Sequence, residues 1–362
     1  MKIIQVSPRF ISHKEIKTGG IEAHVYEIAK RLAKKHDVYV FTTDPTGKLK
    51  KEEIIEGMKI VRFKSFAPNE AYFFSSEIYF ALKEETCDIL HVHSFQAVPS
   101  FLAHLATNKS NVKKFIFTPH YHPFASTPLR NLIRKFYDPI QKKTFERADK
   151  IICVSNHEKN LLHKNFDIPL KKMIKIPNGI NVDEYKHLPK VKKEHEFQIL
   201  YHGRLEKYKR VEWILSALKK IKSRFPEKDI HLSIVGKGPY ENNLKKACKE
   251  LEIMKYVTFK KNVTDEERAK EYVKCDVFVM PSEYEAFSLA TLQALAFKKP
   301  VIVSNVGGLP ELVENNGFII NSEEDLERSL LKALEKPLKV SFNLKKYSWD
   351  TIIDEISNVY ET

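Results

Sequence analysis

Short runs of β-forming apolar residues alternate along the chain with longer stretches in which apolar residues recur every three or four positions. The first run, Lys2–Ser7 (KIIQVS), predicts a buried strand, and the stripe within Ile21–Lys34 predicts an amphipathic helix. The same pattern predicts strands at Asp37–Thr42, Lys59–Phe63, Asp88–His93, Lys114–Thr118 and Asp149–Val154. Strands that alternate with helices are typical of βαβ units, so we expect a mostly parallel sheet.

A second alternating series follows an interruption in this pattern. Tyr185–Glu196 is polar, rich in lysine and without periodicity, as is typical of a linker. Further strands are then predicted at Phe197–His202, Ile230–Val235, Tyr256–Phe259, Val277–Met280, Val301–Val303 and Gly317–Ile320. We therefore predict an α/β domain over 1–184, a linker over 185–196, a second α/β domain over 197–346, and a final helix over 347–362 whose apolar stripe needs a packing surface.

The Ser/Thr-x-x-Glu form of a helix capping box recurs along the chain. Ser155–Glu158 and Thr264–Glu267 each precede a helical pattern and predict its start. Ser282 and Glu285 have the same spacing. One interpretation of Glu285 is therefore that its carboxylate only closes a helix start.

Length and composition favour two globular domains. A chain of 362 residues exceeds one ordinary core, and 43% hydrophobic residues with only 11 glycines exclude disordered and fibrous classes. The four cysteines are Cys87, Cys153, Cys248 and Cys275. They form no Cys-x-x-Cys pair and no Cys/His cluster with zinc spacing. Three of the four lie in or beside apolar runs, and we expect these three to be reduced core thiols.

The net charge of +14 favours phosphate-bearing partners in general: nucleic acid, anionic lipid or nucleotide. A nucleic-acid-binding protein would place basic and stacking residues on one face, whereas the lysines here are scattered over both halves, so we expect no nucleic-acid partner. The start MKIIQVSP lacks a signal-peptide core, and no apolar run approaches the roughly 20 residues of a membrane span. We expect a cytoplasmic protein, soluble or peripheral at the membrane.

The stretch Met280–Ser304 (MPSEYEAFSLATLQALAFKKPVIVS) is predicted to fold as strand, loop, helix, turn and strand. Helix formers begin at Ser288, and Pro300 ends the helix. In a parallel sheet such a loop lies at the carboxyl edge, where a helix N-terminus points at bound anions. Glu285 lies in this loop and Gln293 lies in the helix.

This segment resembles the signature of glycosyltransferase family 4, retaining enzymes of the GT-B fold. The matching residues are Pro281, Ser282, Glu285, Phe287, Pro300 and Val301. Further resemblances follow in the family's order: GGIEAHVYEIAKRL from Gly19, Thr-x-His ending at His120, Gly-Arg-Leu…Lys over 203–209, Val-Gly-x-Gly-Pro over 235–239, and GGLPE over 307–311. The resemblance covers nearly the whole chain. It implies an α/β GT-B fold, with two Rossmann-like domains whose parallel sheets face a central cleft and a C-terminal helix that crosses back to the N-terminal domain.

The resemblance implies transfer of a sugar from a nucleotide-diphosphate sugar, such as a UDP- or GDP-sugar, with retention of configuration. It implies that His120 and Glu285 contact the donor sugar and that Arg204 and Lys209 neutralise the leaving diphosphate; His122 is a competitor of His120. The implied donor-binding positions are Gly19, Gly20, Gly236, Val263, Phe287, Ser288, Leu289 and Gln293. Chemically, a guanidinium and an ammonium five residues apart suit a diphosphate, although a basic loop can also be merely solvated.

Four positions depart from the family pattern. Ala286 and Ser288 replace glycines of the signature, Gln293 replaces its second glutamate, and Arg210 replaces the glycine after Lys209. Glutamine still accepts a hydrogen bond from a ribose hydroxyl but without charge assistance, so we expect donor binding weaker by about 1 kcal/mol.

No cofactor or metal is expected. The Thr18–Glu22 loop lacks the three-glycine dinucleotide fingerprint, and no Asp-x-Asp pair suited to a divalent metal ends a strand. Arg204, Lys209 and a helix N-terminus can supply positive charge in place of a metal ion. The family resemblance likewise implies a metal-independent reaction.

The acceptor is the part that the residues define least. A basic and aromatic helix over Pro128–Glu146, together with the aromatic residues Phe66, Tyr72, Phe73 and Phe74, suits a peripheral membrane protein that extends a glycan or lipid-linked acceptor. The alternative is a helix that packs on the sheet with solvated charges. Rival functions on the same fold are a nucleotide-sugar 2-epimerase, a phosphorylase, or a non-catalytic homologue that has lost function through Gln293.

Overall fold

The structure is a computed structural model that describes residues 1–10, 20–66, 74–95, 97–123, 128–186 and 188–362, with the backbone alone over 128–136. The chain forms two compact units, one of Met1–Gly179 with Trp349–Thr362 and one of Ile180–Ser348. The first unit ends at Gly179, five residues before the predicted boundary at 184, and the range predicted as a linker, 185–196, falls within the second unit. The return to the first unit comes at Trp349 rather than at 347.

The first unit is built on an eight-stranded sheet in the order β3-β4-β2-β1-β5-β6-β7-β8. Its strands are β1 (Lys2–Val6), β2 (Asp37–Asp44), β3 (Glu52–Ile55), β4 (Met58–Lys64), β5 (Cys87–His93), β6 (Val112–Thr118), β7 (Lys150–Cys153) and β8 (Met173–Lys175). All neighbours pair in parallel except β3 and β4, an edge hairpin that the sequence did not predict. Because most strands are parallel, the loops after β1, β5, β6 and β7 share one edge of the sheet.

Helices connect these strands. They are α1 (Gly20–Leu32), α2 (Ser76–Glu84), α3 (Val98–Ala106), α4 (Pro128–Arg147) and α5 (Asn156–Phe166). The periodic stripe predicted for α1 is the buried one, with Val25, Ile28 and Leu32 in the core. Helices α2 and α3 are additions to the predicted set.

The second unit is built on a six-stranded, wholly parallel sheet in the order β11-β10-β9-β12-β13-β14. Its strands are β9 (Phe197–His202), β10 (Ile230–Val235), β11 (Val257–Lys260), β12 (Val277–Met280), β13 (Val301–Ser304) and β14 (Gly317–Ile320). Its helices are α6 (Val211–Arg224), α7 (Glu241–Glu250), α8 (Asp265–Lys274), α9 (Leu289–Ala296), α10 (Leu309–Val313) and α11 (Glu323–Glu335). The strands lie within a residue or two of their predicted positions, and α8 starts at the predicted capping box of Thr264 and Glu267.

The final helix α12 (Trp349–Glu361) packs on the first unit. Its apolar stripe joins a core cluster with α1 and with one face of the sheet, and Ile352 and Ile356 are fully buried there. Gly179 accommodates the indole ring, since a Cβ at this position would lie 2.6 Å from Trp349 Cδ2. Burial of this stripe supplies the packing surface that the sequence pattern required.

The four cysteines are free and buried in the cores of the two units. Burial raises the pKa of the Cys275 thiol to about 12 and that of Cys248 to about 11, so both stay protonated at neutral pH. Among the helices that the structure describes, none combines the length and apolarity needed to cross a membrane.

Candidate active site

The segments that follow all six strands of the second unit's sheet lie at its carboxyl edge, because parallel pairing brings the ends of β9 to β14 to the same side. In this type of sheet the carboxyl edge, near the point where strand order reverses, is where ligands bind. The strand order reverses between β9 and β12, so the loops after these two strands flank the switch point.

A buried ion pair joins these two loops. Lys209 Nζ, from the loop after β9, donates a hydrogen bond to Glu285 Oε1, from the loop after β12. The two side chains are only 9% and 15% exposed. Burial opposes the charge on Lys209, but the Glu285 carboxylate and Tyr208 outweigh it, so the pKa of Lys209 lies above its usual 10.5. A permanently charged ammonium is thus held at the crevice by a carboxylate.

The backbone around Glu285 is fixed from both sides. Glu283 N donates to Tyr208 O at 2.7 Å, and Gly308 N donates to Glu285 O at 3.0 Å. Ser282 does not cap a helix here, because α9 begins only at Leu289 and its N-cap is Ser288, whose Oγ accepts from Thr291 N. The interpretation of Glu285 as the closing residue of a capping box is therefore wrong, and its carboxylate is available for Lys209.

Glycines permit the close approach of these loops. A Cβ on Gly236, in the loop after β10, would lie 1.9 Å from Gly203 O, and a Cβ on Gly307 would lie 1.6 Å from Glu285 O. Both residues have positive φ, 148° and 58° respectively. Gly236 N in turn donates to Lys260 O at 2.9 Å, which ties this loop to β11. No other residue type fits either position without moving a neighbouring loop.

Arg204 differs from Lys209 in its environment. Its side chain is 72% exposed and pairs with Glu206 at 2.7 Å, while its carbonyl oxygen accepts a hydrogen bond from the buried Tyr201 hydroxyl. Exposed ion pairs contribute little to stability, about 0–1 kcal/mol, so the guanidinium can exchange Glu206 for an anionic ligand at low cost. The backbone of Arg204 is thus held in place, while its guanidinium can move.

The remaining donor-binding candidates lie on the same edge. Phe287 is buried against Tyr347, whereas Ser288 and Leu289 are half-buried at the N-terminus of α9. Val263 is half-buried after β11 and precedes the N-cap of α8. Gln293 lies in α9, and its Oε1 accepts from the Tyr272 hydroxyl at 3.4 Å.

The first unit holds His120 in a histidine-rich cluster. His120 follows β6 with a φ of 47°, is half-buried, and packs against the rings of His24 and His93 at centroid distances of 5.1 and 6.3 Å. His122, its competitor, is exposed. Gly20 is the first residue of α1, and Gly19 lies outside the described residues, as do Tyr72 and Phe73.

Family models match both halves of the chain. Residues 18–184 match Glycosyltransferase Family 4, and residues 183–349 match Glycosyl transferases group 1. An uncharacterized glycosyltransferase of Methanocaldococcus jannaschii is 28% identical over 95% of this chain and 94% of its own length. The chain belongs to the group 1 glycosyltransferases.

This glycosyltransferase is also similar to a solved structure and to an enzyme whose printed name states its substrates. The crystal structure of Anabaena HepE in complex with UDP superimposes with a TM-score of 0.77 at 17% identity and covers 100% of both chains, which supports the GT-B fold. An Escherichia coli UDP-Gal:α-D-GlcNAc-diphosphoundecaprenol α-1,3-galactosyltransferase is 28% identical over 67% of this chain and 65% of its own length.

Two of the four departures from the family pattern keep a glycine-like backbone in this glycosyltransferase. Arg210 has φ 51° and ψ 37°, and Ser288 has φ 73°. These left-handed conformations are the ones that glycine adopts readily and other L-residues only at a cost of about 1–2 kcal/mol. The loop geometry is thus retained at Arg210 and Ser288 without the glycines.

We expect Arg210→Gly to raise the free energy of unfolding by about 1 kcal/mol, since it relieves left-handed strain in the loop after β9. The gain is reduced by the greater freedom of glycine in the unfolded chain. Thermal and urea unfolding of the variant and the wild type measure it. Arg210→Ala, which keeps the strain but also removes the side chain, serves as the control and should not stabilise.

Glu158 of the first unit has a structural role that the sequence did not predict. Glu158 is fully buried, and its carboxylate accepts hydrogen bonds from Tyr121 N at 2.6 Å and Val154 N at 2.7 Å. Ser155 does cap α5 by accepting from Glu158 N, so the predicted capping box is only half correct. The glutamate instead joins the loop after β7 to the loop that carries His120.

Burial raises the pKa of Glu158 to about 7, and the two backbone hydrogen bonds only partly oppose this. The folded chain therefore retains a proton that the unfolded chain, with a pKa near 4.5, releases, so stability should fall as the pH rises from about 4.5 to 7. The shift corresponds to about 3 kcal/mol. The free energy of unfolding of wild type and of Glu158→Gln is measured with urea at pH 5 and at pH 8. We expect it to fall between the two pH values by this amount more in wild type than in Glu158→Gln. Parallel pH profiles for the two proteins would contradict the prediction.

Proposed function

We propose that this glycosyltransferase transfers a sugar from a nucleotide-diphosphate sugar to a glycan or lipid-linked acceptor, with retention of configuration and without a metal ion at the leaving group. The observation that carries the proposal is the Lys209–Glu285 pair at the carboxyl edge of the second unit's sheet. It places a buried cation and a carboxylate side by side where nucleotide diphosphates bind in this class of fold.

Departure of the nucleotide diphosphate places negative charge on the leaving oxygen while positive charge develops at the anomeric carbon. Lys209 is preorganised to stabilise the leaving diphosphate, since Glu285 fixes its position and burial lowers the local dielectric. Arg204 adds a mobile guanidinium, and the N-terminal N–H groups of α9 around Ser288 and Leu289 add fixed dipoles. Together these groups do the work that a divalent cation does in metal-dependent enzymes.

Glu285 has a second role in this proposal. Lys209 Nζ donates to Oε1, and within the described part of the chain Oε2 has no partner, so it can accept a hydrogen bond from a donor-sugar hydroxyl. Gly236 and Val263 position backbone groups for the nucleotide, Gln293 accepts from the ribose, and His120 contacts the sugar. Gly19 and Gly20 contribute main-chain N–H groups to the diphosphate.

The acceptor proposed is a glycan or lipid-linked saccharide. Support comes from the E. coli relative, whose name specifies a diphosphoundecaprenol-linked acceptor. Exposed aromatic residues on the first unit, Phe66 at 72%, Phe74 at 51% and Phe80 at 59%, together with the net charge of +14, suit peripheral contact with an anionic membrane surface.

A thermal-shift panel tests the donor class. UDP, GDP, ADP and TDP and their common sugars are added to wild type and to Arg204→Ala, with and without EDTA. A ligand that binds the native state raises the melting temperature by mass action. We expect one nucleotide family to stabilise wild type, regardless of EDTA, and Arg204→Ala to respond much less. The absence of a shift with every nucleotide would identify a non-catalytic homologue and overturn the proposal.

A further inference from the structure

Three histidines that are far apart in the sequence converge in the first unit. His24 lies in the second turn of α1, His93 ends β5, and His120 follows β6. One ring nitrogen of each lies within 4.8 Å of those of the other two. Their separations of 69 and 27 positions match no zinc-binding spacing in the sequence, so only the fold reveals the cluster.

Four ring nitrogens of these histidines lack a hydrogen-bond partner within the described part of the chain. Among the residues that the structure describes, His24 Nδ1 and Nε2, His93 Nδ1 and His120 Nε2 are buried and make no hydrogen bond. An unpaired buried polar atom costs about 1–3 kcal/mol, and here four such atoms lie together. Such a concentration points to a ligand that accepts several nitrogen lone pairs at once.

The neighbouring residues fix the tautomer of one ring. His93 Nε2 lies 2.9 Å from Gln5 Oε1, an amide oxygen that can only accept, so Nε2 carries the proton. His93 Nδ1 is therefore a bare lone pair, buried and without a partner among the described residues. A metal-binding histidine commonly donates its second nitrogen to an oxygen in this way, which orients the ring.

The nearby His91 is excluded as a ligand because its Nδ1 faces the Tyr360 hydroxyl and its Nε2 the Thr118 hydroxyl, each at 2.7 Å.

We propose that His24, His93 and His120 form a binding site for a borderline transition-metal ion of the Zn²⁺ class. Three neutral imidazoles and no carboxylate suit Zn²⁺, Co²⁺ or Ni²⁺ and disfavour Mg²⁺ and Ca²⁺. Tetrahedral Zn–N bonds of about 2.0–2.1 Å place ligand nitrogens about 3.3 Å from one another, which lies within the 4.8 Å that bounds the separations here. His120 is only half-buried, which suits entry of the ion and binding of a fourth ligand.

The ion would stabilise the first unit by joining α1 to the strand ends of β5 and β6. It would also engage His120, so bound metal should slow sugar transfer. That second consequence rests on the proposed role of His120 at the donor sugar, whereas metal binding itself does not. Lys209 and Arg204 take no part in this proposed metal site.

Direct metal binding to tag-free, chelator-treated protein tests the site. We expect one Co²⁺ per chain with the intense visible absorption of tetrahedral coordination, displacement of Co²⁺ by Zn²⁺, and a rise in melting temperature on adding Zn²⁺ that EDTA reverses. His24→Leu should weaken Zn²⁺ binding at least about 100-fold, because two ligands remain. His195→Gln, in the second unit, is the matched control and should bind as wild type does.

The melting temperature of the metal-free protein distinguishes a metal-binding histidine from a purely structural one. Since neither nitrogen of His24 has a partner among the described residues, His24→Leu should leave the metal-free melting temperature unchanged or raise it. His120→Asn, which tolerates the left-handed backbone, is the second variant and should also lose binding. Failure of wild type to bind Zn²⁺ or Co²⁺, or binding that survives both substitutions, would overturn the proposal whatever the transferase activity.

Discussion

Lys209→Met should reduce kcat for sugar transfer by about 10²–10³-fold, the usual loss when one preorganised electrostatic group is removed from a transition state. The methionine retains the apolar stem of the side chain and removes only the ammonium. Because Glu285 is then left buried without its cation, the free energy of unfolding should also fall, by about 3–5 kcal/mol. Steady-state kinetics with the donor identified by thermal shift and urea unfolding measure the two effects separately.

The double variant Lys209→Met/Glu285→Gln distinguishes a catalytic pair from a structural one. Removing both charges abolishes the uncompensated buried carboxylate, so most of the lost stability should return. Activity should not return, because the positive charge at the leaving diphosphate is still missing. Recovery of kcat together with stability would mean that the pair only holds the two loops together.

The strands of both sheets could be predicted because their residues carry local signals. Runs such as Ile199–Tyr201 and Val301–Val303 are apolar and buried on both faces, so they stand out from flanking polar loops. The edge hairpin of β3 escaped prediction because Glu52–Ile55 is half polar and exposed. Its turn at Glu56 and Gly57, both with positive φ, was the available signal.

The sequence of helix α11 carries local signals for both its start and its buried face. Ser322 caps it, three acidic residues occupy its first turn, and Leu326 and Leu330 form its buried stripe. Helix α3 lacks such marks, since Ala97 at its N-cap offers no side-chain acceptor and its sequence is apolar on most faces. Local sequence rules therefore identify α11 and do not identify α3.

In the candidate site, too, some features have a local sequence signal and others do not. The glycines, Arg204, Lys209 and Glu285 could be singled out because each belongs to a short motif at the end of a predicted strand. The contact between Lys209 and Glu285 could not be predicted from the sequence, since the two residues are 76 positions apart and meet only through the pairing of β9 with β12. The same holds for Glu158 and for the three histidines, whose neighbours are set by strand order rather than by spacing.

Gly307→Ala should disrupt the site by displacing the backbone that carries Glu285. The φ of 58° at this position is unfavourable for alanine by about 1–2 kcal/mol, and the new Cβ would lie 1.6 Å from Glu285 O. The loop after β12 must therefore move, and the hydrogen bond from Gly308 N to Glu285 O weakens with it. We expect a loss of at least about 2 kcal/mol in unfolding free energy and a fall in kcat of about 10²-fold, because small displacements of catalytic groups are costly.

The neighbouring Gly308→Ala is the matched control for this prediction. Gly308 has a φ of −85°, which alanine adopts without strain, and its N–H stays in place to bond Glu285 O. Its stability and kcat should stay near those of wild type. Nearly equal losses in the two variants would show that any side chain in this loop is harmful, whereas normal activity in Gly307→Ala would show that the position of Glu285 does not limit transfer.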